Sequence, residues 1–140
     1  MGLMNREKVL IVFDSSKLKL SREETHSLVY LLDREKLISF PGYRYVPYRG
    51  PYSELLQNDV DLLTSIGNLE KLHSRTFYTI SDQGSKILRE KRKKGVDFAA
   101  AYDEVNIATQ KLLKDFGQSG LIKQAYYVLS REIASRMRVE

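Results

Sequence analysis

The segment NLEKLHSRTFYTIS, residues 68–81, sets the tightest limit on what this chain can fold into. Two short extended pieces, Leu69 to Leu72 and Thr76 to Ile80, flank a polar His-Ser-Arg tip in the pattern of a β-hairpin. Helical patterns stand on both sides of it. Upstream, the run YRYVP alternates Tyr43 and Tyr45 with Arg44 and Val46, as a brief edge strand would, until Pro47 removes a ladder donor. Such a strand is too short to be stable alone, so it is expected to pair with the hairpin in a three-stranded sheet. The expected class is therefore mainly α with a small β-sheet (α+β).

The helices can be placed by their caps and apolar spacing. NREKVLIVFDSS reads as a short amphipathic helix entering the core through Val9, Leu10, Val12 and Phe13, and KLKL links it to the next element. Ser21 and Glu24 form a capping box, and Leu28, Leu31 and Leu32, with Thr25 or Val29, carry the helix to about Glu35. After Gly50 and Pro51, either Gly50 or Ser53 caps a third helix with the apolar set Leu55, Leu56, Val60, Leu62, Leu63 and Ile66, closed by Gly67. Ser81 or Asp82 caps a fourth, QGSKILREKRKK, stopped by Gly95.

From Asp97 to Phe116, the positions Phe98, Tyr102, Val105, Thr109, Leu112 and Phe116 fall four and three residues apart, the period of a seam between long helices. GQSG interrupts the pattern. A last helix runs from Leu121 to about Met137, with Ile122, Tyr126, Leu129 and Ile133 on one side. The seam predicts a homodimer through Phe98, Tyr102, Val105, Leu112 and Phe116, with packing against residues 121–137 as the alternative.

Helix, helix, short strand, helix and hairpin is the chain order of a winged helix-turn-helix. Residues 4–94 would form that domain and 96–140 a C-terminal helical pair, together one compact unit. FYTISDQGSKIL has the form of a wing exit, an aromatic strand followed by Gly84 inside a helix where backbone must pack closely. With LVYLLDRE and YVPYRGPYSELLQNDVDLLTSIGNLE, the first 90 or so residues resemble the Panacea, or SocA-like antitoxin, family. The likeness implies a winged-helix-like regulator, or an antitoxin that neutralises a partner by binding it. It carries over at the turn residues Gly50, Pro51, Tyr52 and Ser53.

Charge supplies the candidate contacts. Of a net +5, all is accounted for by residues 86–94, where Lys86, Arg89, Lys91, Arg92, Lys93 and Lys94 stand against Glu90 alone. Such a cluster grips phosphates or stays solvated at a helix end. Double-stranded DNA would be held by these six, by Arg44 and Arg49 at the turn, and by Lys71, His73 and Arg75 on the wing. Gln57 and Asn58 are the base-reading groups. The third helix also carries Glu54, Asp59 and Asp61 with no Lys or Arg, which opposes deep entry into a groove. The primary expectation is a DNA-binding transcriptional regulator working mainly through phosphates. The alternative is a protein-binding module, such as an antitoxin-like neutraliser, acting through the acidic third helix and the tyrosine-rich turn.

Nothing in the pattern indicates catalysis, a metal or a cofactor: His26 and His73 are far apart and no phosphate loop or nucleophile elbow occurs. With no cysteine, and an N-terminal apolar run too short for a membrane span or signal peptide, a soluble cytoplasmic protein is expected.

Overall fold

The hairpin takes its third strand from the segment expected to be a plain linker. In the computed structural model, which describes residues 2–72 and 76–139, the chain begins with α1 (Asn5–Ser16), β1 (Leu20–Ser21) and α2 (Arg22–Arg34). It continues through β2 (Val46–Pro47), β3 (Pro51–Tyr52), α3 (Glu54–Ser65), β4 (Leu69–Leu72) and β5 (Phe77–Ile80) to α4 (Asp82–Lys94) and α5 (Val96–Val139). β1 pairs antiparallel with β5, and β5 with β4, in the order β1-β5-β4.

The YVP strand does not join that sheet, contrary to expectation. Val46 and Pro47 pair instead with Tyr52 and Pro51 in a separate two-stranded ribbon. Pro47 lies opposite Pro51, and neither has an N–H, so the ribbon cannot extend into a longer ladder. The alternation itself was correctly placed: Tyr43 and Tyr45 are buried while Arg44 and Val46 are exposed.

Helix, strand, helix, helix and hairpin, with β1 between the first two helices, is a winged-helix topology on a mainly helical α+β chain. Residues 35–53 separate α2 from α3, far more than the about three or four residues of a tight helix-turn-helix. The capping box at α2 is present in full, with Ser21 Oγ accepting from Glu24 N at 3.0 Å and Glu24 Oε1 accepting from Ser21 N at 2.8 Å. Ser53, not Gly50, caps α3. Ser81 caps α4, where an added Cβ on Gly84 would sit 2.3 Å from the Asn68 carbonyl oxygen, so hairpin and helix touch backbone to backbone.

α1 is not amphipathic. Every residue from Val9 to Ser15 is buried, because α3, α4 and α5 all pack around it. α5 bends at Gly117, whose φ of 70° and ψ of 164° are non-helical, into limbs 96–116 and 118–139. The first limb lies on α1, where Ser15 Oγ donates to the Asn106 side chain and Gln110 Nε2 donates to the Ser15 carbonyl. The second lies on α2, where Tyr30 and Arg34 both donate to the Glu132 carboxylate, at 3.0 and 2.9 Å.

These contacts bear on the residues expected to form a dimer seam. Tyr102, Val105 and Leu112 are buried in the same core as Val9–Phe13 and Leu28–Leu32, and Phe98 and Phe116 pack against its edge. Leu121, Ala125 and Leu129 of the second limb belong to the same core. Among the described residues, no helix is long and apolar enough to cross a membrane.

Candidate functional site

The tyrosine-rich turn is organised around a buried histidine. Tyr48, Arg49 and Gly50 form the tip between β2 and β3, with φ at 55° for Arg49 and 98° for Gly50. A positive φ suits glycine and is strained for arginine. Tyr52 then stacks on the His26 ring, 4.6 Å between centroids and 8° from parallel. The Ser53 N–H donates to His26 Nδ1 at 3.0 Å, which leaves the ring proton on Nε2 to donate to Gln57 Oε1 at 2.9 Å. Gln57 Nε2 in turn donates to Asp61 Oδ1 and to the Tyr78 hydroxyl, at 2.9 and 3.2 Å. Burial holds His26 neutral and lowers its pKa to about 4. α2, the ribbon, α3 and β5 are thus joined by one polar chain.

That chain removes Gln57 from the set of base-reading groups. It is buried, and both ends of its amide are occupied. Asp59 is also engaged, accepting from the Tyr43 hydroxyl and lying 3.6 Å from Arg6 Nε. Burial, with the Asp59 carboxylate next, raises the Tyr43 pKa far above the usual tyrosine value and keeps this hydroxyl a donor.

What α3 presents to solvent is a line of apolar side chains. Leu55, Leu62 and Ile66 are 53%, 39% and 52% exposed. At about 3.6 residues per turn, spacings of seven and eleven residues put them on one stripe. Glu54, Asn58, Asp61 and Ser65, all exposed, follow along one flank. Half of the apolar set expected to enter the core therefore stays outside. At its C-terminal end the stripe runs into a groove of about 160 Å³ between α1, α3 and α4, lined by Met4, Ile66 and Ile87 and rimmed by Arg6, Glu7 and Lys91.

On α4, Lys86, Arg89 and Lys93 share one face at helical spacing, while Lys91, Arg92 and Lys94 fall outside it. Lys91 pairs with Glu7 at 3.1 Å, and Arg92 lies 4.1 Å over the Tyr102 ring. Lys86, Arg89, Lys93 and Lys94 are exposed. Arg44, Arg49, Asn58 and Lys71 are exposed as well, whereas His73 and Arg75 lie outside the described residues. Among the described residues, no group of three His, Asp or Glu side chains is placed to hold a metal ion.

Sequence reasoning missed the central role of His26, noting only that it is far from His73. Its partners come from residues 53 and 57, and no local pattern joins them to position 26. No protein-family model matches the chain, and no curated protein matches it significantly.

Proposed function

We propose that this protein is a protein-binding module that works as an antitoxin-like neutraliser, engaging a basic partner with an apolar face through α3. The exposed stripe Leu55–Leu62–Ile66, flanked by Glu54 and Asp61 and free of Lys and Arg, carries this reading. A groove-reading helix places cationic or amide side chains against a polyanion. Here leucines and carboxylates dominate that face, Asn58 is its one exposed amide, and Gln57 is turned inward. Apolar anchors bordered by charge are the composition of a helix-in-groove protein contact. The resemblance of the YRGPYS turn and the segment after it to the SocA-like antitoxins supports the same direction.

Titration with amphipathic probe helices tests the proposal. A leucine–lysine peptide should bind the wild-type protein and a leucine–glutamate peptide should not. Leu62→Lys or Asp61→Lys should weaken binding at least about tenfold, roughly 1.4 kcal/mol, with circular dichroism unchanged. Equal binding of both peptides, or indifference to the α3 substitutions, overturns it.

A second reading, a regulator that grips duplex DNA through phosphates, is favoured by the exposed Lys86, Arg89, Lys93 and Lys94 on α4. Under it, mixed-sequence duplex binds at low salt, and alanine at residues 91–94 weakens binding for all sequences and flattens its salt dependence. Absence of duplex binding at low salt removes this second reading.

A further inference from the structure

We infer that the polar cleft between α1, α4 and the first limb of α5 is a binding site for a small molecule bearing a phosphate group. The cleft has a volume of about 550 Å³, and Lys17, Arg89 and Arg92 all line it. The one carboxylate there, Asp14, is committed elsewhere: it is 7% exposed and accepts from the Ser85 and Tyr102 hydroxyls, one at each oxygen. Burial, with the Asp14 carboxylate next, pushes the Tyr102 pKa up to about 12, so its hydroxyl remains a donor to Asp14. Asp14 keeps its negative charge, so the three cations and this one acid leave the lining at a net +2. None of the three forms an ion pair among the described residues.

Arg92 is the best placed of them. Its guanidinium is stacked 4.1 Å over Tyr102, while its buried Nε has no hydrogen-bond partner. A guanidinium held flat on a ring face offers its terminal N–H groups in the planar geometry that phosphate oxygens accept. The competing role for these cations is to complement the C-terminal carbonyls of α1, whose last turn has no basic residue. Lys17 is itself the C-cap residue of α1 and serves that end, whereas Arg89 and Arg92 reach the cleft from α4.

The site is independent of the α3 surface, and its test separates the two. Wild-type protein is titrated with adenosine 5′-monophosphate, inorganic pyrophosphate and adenosine at near-physiological salt, where loose surface attraction is screened. The side-chain Nε–H resonances of Arg89 and Arg92 and the melting temperature are followed. At least one of the two anions should shift both arginine signals saturably and raise the melting temperature, and adenosine should do neither. The double substitution Lys17→Gln and Arg89→Gln, both at exposed positions, should weaken the response at least tenfold. Arg49→Gln, on the β2–β3 turn and outside the cleft lining, should leave it intact. No saturable response to either anion at millimolar concentration overturns the inference. So does a response that survives the double substitution, which would place the anion elsewhere and leave the cations to serve the helix end.

Discussion

A single side chain, His26, holds the entrance of α3. Because the Ser53 N–H points at Nδ1, protonating that nitrogen would set two donors against each other inside the protein. The folded pKa, lowered from 6.5 to about 4, lies below the unfolded one. Stability from this group is therefore complete above about pH 6.5 and is lost as pH falls toward 4. The shift corresponds to roughly 3 kcal/mol. Urea denaturation at pH 7 and pH 4.5 should show a loss of that order, and a His26→Phe variant should lose most of this pH dependence. The variant should itself be less stable by about 2–4 kcal/mol, because Ser53 N and Gln57 Oε1 are left buried without partners. Position 57 shows what sequence conceals at this scale. A glutamine one turn into a helix has the chemistry of a base reader, and only the folded placement of His26 and Tyr78 turns it inward.

At the scale of elements, legibility followed local chemistry. The capping box at Ser21, the caps at Ser53 and Ser81, the hairpin and the interruption near Gly117 all rest on interactions within a few residues, and each is present. β1 was not readable, because two residues of strand have no period of their own and exist only against β5. Gly84 was read as a point of close backbone approach and is one. Alanine there gains about 1 kcal/mol of helix propensity. Its Cβ, however, would stand 2.3 Å from the Asn68 oxygen and 3.0 Å from Ile80 Cγ1, and neither the hairpin nor α4 can give way alone. Gly84→Ala should thus be destabilising by a net of about 1–3 kcal/mol, seen as a lower denaturation midpoint at unchanged slope. A midpoint at or above wild type would mean that the hairpin sits off α4 in solution.

On the scale of the whole molecule, the question is what α5 belongs to. Its heptad-like spacing announced a long helical seam but not the partner, since the same period serves a second copy or the chain's own helices equally well. Burial decides it. Leu112 is 2% exposed and Leu121 is fully buried against the winged-helix part, whereas Ile107, on the other side of the first limb, is 68% exposed. A chain ending at residue 95 would uncover the α5 sides of both α1 and α2 at once, so it should not unfold cooperatively, while the full chain should melt in one transition. Point substitutions separate the two partners more sharply. Leu112→Ala should cost about 2–5 kcal/mol as a cavity in a shared core, and Ile107→Asp should cost less than about 0.5 kcal/mol as a surface change. Both variants should sediment with the mass of the wild type. If the seam instead faced a second copy, Leu112→Ala would shift the sedimenting mass in a concentration-dependent way and the monomer would keep its melting temperature, because the core of α1 and α2 would not depend on position 112.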